Sequence, residues 1–113
     1  MKFSTEQRGT VTVIGLEGSL MGGPESSALN GQINEMVDQG KIRVVIDLAR
    51  VGFMNSSGLG LLINSATTLK NAGGSLKLAN ASEKITALLK ITKLAPLFET
   101  HSSVQTAVDS FTN

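Results

Sequence analysis

Two adjacent hydroxyls flanked by an amide and by glycines, Asn55-Ser56-Ser57-Gly58-Leu59-Gly60, are the residues of this chain whose types and spacing suggest chemistry. They follow the apolar run Val44-Val45-Ile46-Asp47-Leu48 and a loop through Phe53-Met54, and they precede a new apolar periodicity. That order reads as a strand-to-helix junction. Loops at the carboxyl edge of an α/β sheet are where such folds place ligands and reactive groups. A helix start also offers unpaired N–H groups and a positive dipole end to an anion. A serine there can stand beside a bound anion, cap the helix or act as a nucleophile.

The nucleophile reading lacks its companions. A nucleophile elbow needs glycine two residues to either side of the serine, and Met54 stands in that place before Ser56. A phosphate-cradling P-loop needs a lysine after its glycines, and none follows Gly58 or Gly60. The one histidine, His101, is expected as a surface residue at the start of the last helix, and with no cysteine the chain has no evident metal-ligand set. No catalytic residue, cofactor or metal is therefore expected. Capping by Asn55, Ser56 or Ser57 would contribute about 1 kcal/mol, but one cap does not account for two neighbouring hydroxyls. Asp47 is expected to accept loop N–H bonds. Gly58 and Gly60 read as keeping the approach to the hydroxyls open, and Phe53 reads as core. Met21, beside Gly22-Gly23, has two readings: an exposed contact, or a side chain folded back onto the core.

The elements that must position this junction follow from periodicity. Lys2 to Gln7 and Thr10 to Leu16 read as strands joined across Arg8-Gly9. Pro24 suits the first position of a helix whose stripe is Leu29, Ile33, Met36 and Val37, with Gly40 at its stop. Val44 to Leu48 is a continuous apolar run closed by an acid, as in a central strand. A second helix carries Leu59, Leu62, Ile63, Ala66 and Leu69 and ends at Gly73-Gly74. Leu76 and Leu78 alternate with polar residues in a short strand, and Ser82 caps a third helix bearing Ile85, Leu88 and Leu89. A brief strand near Leu97-Phe98-Glu99 then leads to Ser102-Ser103-Val104-Gln105, a capping-box spacing, and a last helix. Strands alternating with helices imply right-handed crossovers and a mostly parallel sheet. The expected fold is α/β: one domain over residues 1–113, a mostly parallel sheet with an N-terminal antiparallel hairpin, about four helices, arranged as one pair of layers.

Composition narrows the partners. With 113 residues, 41% hydrophobic, the chain suits one hydrophobic core. Ten Lys and Arg against nine Asp and Glu leave a net charge of +1 with no basic run, which argues against nucleic acid. Met1-Lys2-Phe3-Ser4-Thr5-Glu6 turns polar at once, and the apolar stretches are too short for a bilayer, so a cytoplasmic protein without a membrane partner is expected.

The stretch Val45-Ile46-Asp47-Leu48, Val51, Phe53 to Gly60 resembles the signature of the STAS family, the anti-sigma factor antagonists. Gly18-Ser19-Leu20, Gly73-Gly74 with Leu76-Lys77-Leu78, and Ile85 to Leu89 extend the resemblance over nearly the whole chain. The resemblance implies a partner-switching regulator of transcription. Unmodified, such a protein binds an anti-sigma factor with serine-kinase activity and releases a sigma factor. The kinase, which brings its own nucleotide and magnesium, phosphorylates the first hydroxyl of the motif, and a serine phosphatase reverses this. By position the target is Ser56, with Ser57 the second choice. The partner surface would comprise Met21, Gly22, Gly23, Met54, Asn55, Ser56, Ser57 and Gly58. Asn55 and Met21 stand where the family commonly has acids, which removes negative charge near Ser56. Two other classes remain: a non-phosphorylated docking subunit of a lipid-transport ATPase or stress-signalling assembly, and an anion- or nucleotide-sensing module.

Overall fold

Gly9 sets the first turn. The computed structural model describes residues 2–111, and in it β1 (Lys2–Arg8) and β2 (Val11–Leu20) are joined by Gly9-Thr10. Gly9 takes φ 62° while Thr10 stays at negative φ, the combination of a type II′ turn, whose twist matches two antiparallel strands. The register pairs Arg8 with Val11 and Lys2 with Glu17. From there the chain winds through α1 (Pro24–Asp38), β3 (Arg43–Met54), α2 (Ser56–Asn71), β4 (Ser75–Ala79), α3 (Glu83–Ile91), a 3₁₀ turn at Ala95–Leu97, β5 (Glu99–His101) and α4 (Val104–Asp109). The sheet order is β1-β2-β3-β4-β5, antiparallel at the hairpin and parallel elsewhere. The expected fold class is the observed one.

Strand alternation divides the apolar residues between two faces. Ile14, Leu16 and Leu20 of β2, Val44, Ile46 and Leu48 of β3, and Leu76 and Leu78 of β4 form one core with Leu29, Ile33 and Met36 of α1, Leu59, Leu62 and Leu69 of α2, and Ile85 and Leu89 of α3. Val11, Val13, Val45 and Ala79 look the other way and pack with Ala107 and Val108 of α4. The single pair of layers is thus corrected to three, because α4 covers part of the second face.

Other differences share one cause, pairing with a distant strand. The loop expected after Leu48 is strand as far as Met54, because β2 also runs on and supplies a partner to Leu20. Two register shifts, between Gly15 and Glu17 and between Gly18 and Ser19, give β3 an extra residue each time. These bulges break strict alternation, so Leu48, Val51 and Met54 all face inward. The last strand falls at Glu99–His101, two residues later than expected, after Phe98 has entered the core. His101 therefore lies in β5 and not at a helix start. The last helix is capped by Ser103, which accepts from the Thr106 N–H at 3.1 Å. Gln105, expected in the capping box with Ser102, instead donates to Asp109 at 2.8 Å and accepts from Arg8 at 3.2 Å.

Candidate functional site

Asn55 organises the junction. Its extended backbone (φ −104°, ψ −177°) ends β3, its N–H donates to the Leu20 carbonyl at 3.3 Å, and its own carbonyl accepts from Leu59 at 2.9 Å. Its Oδ1 accepts from the Gly58 N–H at 2.9 Å, the side-chain bond that caps α2. With Asn55 as the cap, Ser56 and Ser57 become the first two helical residues. Both are exposed, and neither hydroxyl has a hydrogen-bond partner among the described residues. Their backbone N–H groups precede the helical ladder and have no acceptor within it. No acidic side chain stands in the first turn, so the dipole's positive end is not neutralised locally.

Gly58 has a different task from the one its neighbours suggest. It is buried, and a Cβ built on it would lie 1.9 Å from the Leu20 carbonyl oxygen and 3.1 Å from Leu20 Cγ. The absent side chain lets the start of α2 rest on the end of β2, which corrects the reading that Gly58 opens an approach. Gly60 has nothing within 4 Å of its Cβ position, so the open-space reading fits that residue alone.

Two further expectations exchange places. Met54, expected on the partner surface, is buried, whereas Phe53, expected in the core, is 51% exposed. Both follow from β3 continuing as strand: its two bulges cancel in phase, so Met54 shares the inward side of Val44, Ile46 and Leu48 and Phe53 takes the other. Of the two readings of Met21, the exposed one holds at 50%. Gly23 is exposed, and Gly22 and Asn55 are half-buried. The uncovered residues brought to the carboxyl edge of β2 and β3 are therefore Met21, Phe53, Ser56 and Ser57. Phe53 also borders an apolar cavity of about 320 Å³, lined on the α3 side by Lys84, Ala87, Leu88 and the exposed Ile91. Alternation carried on from Val44, Ile46 and Leu48 would itself place Phe53 outside; the core reading rests on taking this segment as loop, whereas it is strand as far as Met54.

The charged residues nearby serve structure. Asp47 Oδ1 is an acceptor as expected, but its donors, both at 3.0 Å, are the Ala49 N–H within β3 and the Asn80 side-chain Nδ2 rather than backbone N–H groups of a loop. His101 is engaged with Glu99 at 2.5 Å in β5, which β4 separates from β3. The bond from His101, and then that from Lys77 at 3.0 Å, hold the Glu99 carboxyl down at about 2 from an ordinary 4.5. Lys77 is itself buried beneath α4, bonded to Ser110 and lying 4.2 Å from the Phe111 ring centroid.

This arrangement, a mostly parallel sheet behind a hydroxyl-bearing helix start, is that of a STAS domain. Residues 2–107 match the family model of the STAS domain, and the chain belongs to that family. Among its relatives, the anti-sigma factor antagonist BtrV of Bordetella bronchiseptica is 24% identical over 98% of this chain and 95% of its own length. The anti-sigma-B factor antagonist of Bacillus subtilis is 41% identical over 54 residues, 48% of this chain and 50% of that protein. Among solved structures, the Bacillus antagonist SpoIIAA superposes in two states. Its unphosphorylated form gives a TM-score of 0.78 at 23% identity, covering 99% of both chains. Its phosphorylated form gives 0.76 at 24% identity, covering 97% of this chain and 99% of that one. Among the described residues no helix is long and apolar enough to cross a membrane.

Proposed function

We propose that this chain is a cytoplasmic, phosphorylation-switched antagonist of an anti-sigma factor. Unmodified, it binds an anti-sigma factor with serine-kinase activity and so frees a sigma factor. Phosphorylation of Ser56 ends the interaction, and a serine phosphatase restores it. The chain contributes a docking surface and an acceptor hydroxyl, while the kinase contributes the catalysis. The observation that carries the proposal is the Ser56 hydroxyl, exposed and unbonded at the first residue of α2 because Asn55 already caps the helix. Kinship with antagonists, one of them solved in a phosphorylated form, supports the same reading.

Asn55 suits the switch. Its amide oxygen caps Gly58 without bringing a negative charge to the helix start. Phosphorylation adds about −1.5 to −2 charges. Dipole and free N–H groups offset about 0.3 to 2 kcal/mol of the cost, so the fold persists. Closing the interface a hundredfold takes about 2.7 kcal/mol. Desolvating a phosphate against a docked surface without a matching arginine cluster is of sufficient size to supply it. We place that surface on Met21, Phe53, Ser56 and Ser57, with Gly22, Gly23 and Asn55 holding the backbone between them.

The test uses a serine-kinase-type anti-sigma factor encoded in the same genome. With ATP and magnesium, mass mapping should find one phosphate, on Ser56. Ser56→Asp should weaken binding about a hundredfold with no loss of thermal midpoint. Full binding by Ser56→Asp, or phosphate confined to Ser57, would overturn the assignment.

A further inference from the structure

β1 is an edge strand, hydrogen-bonded to β2 and to no other strand among the described residues. The Gly9-Thr10 turn determines which of its backbone groups look outward. A two-residue turn closes on a pair that exchanges both N–H···O=C bonds, here Arg8 with Val11. In an antiparallel ladder that arrangement recurs at every second residue. Lys2, Ser4, Glu6 and Arg8 therefore direct their N–H and C=O groups to β2, while Phe3, Thr5 and Gln7 direct theirs to the open edge. Side chains alternate as well. Lys2, Ser4, Glu6 and Arg8 share the sheet face on which α4 packs, as the bond from Arg8 to Gln105 on α4 shows.

We propose that this edge pairs with the same edge of a second copy, antiparallel about a twofold axis at Ser4, so that two five-stranded sheets become one. In that register Phe3 faces Thr5 of the other copy twice, and both residues have outward-pointing backbone groups. Lys2 then lies directly opposite Glu6 of the second copy, again twice. Lys2 has no ion-pair partner among the described residues, and Glu6 is held in its own chain only by the neighbouring Arg8. Charge favours this register over its neighbours: with Phe3 on the axis Lys2 would face only Ser4 and the attraction to Glu6 would be lost. Placing Thr5 on the axis sets Lys2 against Arg8 of the other copy, and placing Glu6 on the axis sets that carboxylate against itself. Like charges directly opposite each other on a sheet destabilise the pairing. An edge contact of this size belongs with weak, transient interfaces, so the self-association is a property of concentrated protein. It is independent of the Ser56 reading, and Ser56→Asp should leave it intact.

Sedimentation equilibrium tests the proposal with the whole chain, tagged only at its C-terminus, at up to about 1 mM protein in low salt. A monomer–dimer equilibrium is expected, weakened by high salt, because the paired charges are solvent-exposed. Lys2→Glu and Glu6→Lys should each raise the dissociation constant about tenfold. Combined, they should return it to within about threefold of the parent. Thr5→Pro removes an outward N–H that β2 does not use, and it should abolish the dimer in a protein whose circular dichroism is unchanged. A monomer at the highest concentration overturns the proposal. So does a dimer indifferent to Thr5→Pro, or one that neither single charge reversal weakens.

Discussion

Alanine at each of the two motif glycines should move stability in opposite directions, although both residues lie in the first turns of α2. At position 58 the new Cβ starts 1.9 Å from the Leu20 carbonyl oxygen and must retreat to the 3.0 Å that such contacts essentially never undercut, a displacement of about 1.1 Å. Neither side yields easily, since Leu20 is paired with Met54 and α2 is held to Asn55 by its cap. Overpacking costs about 1 to 3 kcal/mol. Stretching the 3.3 Å bond from Asn55 to Leu20 past its limit adds about 0.5 to 1.5 kcal/mol. Better helix propensity returns about 1 kcal/mol. The net loss is about 2 kcal/mol, and at an unfolding entropy of about 2.1 cal/mol/K per residue the midpoint should fall by about 8 °C. At position 60 the Cβ meets nothing within 4 Å. Gly60→Ala should therefore gain about 0.5 to 1 kcal/mol and raise the midpoint by about 2 to 4 °C. Thermal melts followed by circular dichroism at neutral pH read both. A Gly58→Ala protein melting within about 2 °C of the parent, or both variants moving the same way, would refute the close packing of helix start against β2.

Other contacts of the fold carry expectations of their own. Met54→Ala should cost about 2 to 5 kcal/mol in urea titration, whereas Phe53→Ala should cost no more than about 1 kcal/mol; equal costs would contradict the inward and outward placements of the two side chains. Glu99 is a carboxylate whose folded pKa is depressed, so its stabilisation is complete above 4.5, declines as pH falls, and is gone below about 2. The stability difference between the parent and Glu99→Gln should accordingly shrink as pH falls across that interval, and a difference that instead grew there would show that Glu99 is not held by His101 and Lys77. Ser56→Asp should lose partner affinity while its thermal midpoint stays or rises by up to about 4 °C, since the new acid is exposed and meets an unneutralised helix start.

The elements most legible in the sequence are those governed by neighbours in the chain. Gly9 and its turn, Pro24 at the start of α1, Gly40 beyond its end, Ser82 as a cap, and the apolar stripes of α1, α2 and α3 all rest on contacts within a few residues, which spacing reports directly. The strand-to-helix junction holding Ser56 was visible for the same reason. Its internal division of labour was not, because Asn55, Ser56 and Ser57 have equally suitable capping groups and only the geometry entering from β3 selects Asn55.

What required the tertiary structure was every feature that depends on a partner far along the chain. The length of β3 is set by β2, and carrying the strand on to Met54 turns that residue inward and Phe53 outward, while the two bulges bring Val51 inward between them. Gly58 is confined by Leu20, a residue 38 positions earlier whose approach leaves no mark on local composition. Lys77 looks like the solvent side of a strand until α4 closes over it, and Ser110, Phe111 and Glu99 arrive to satisfy its charge. Periodicity records which side of an element is apolar. Only assembly determines what comes to lie against the other side.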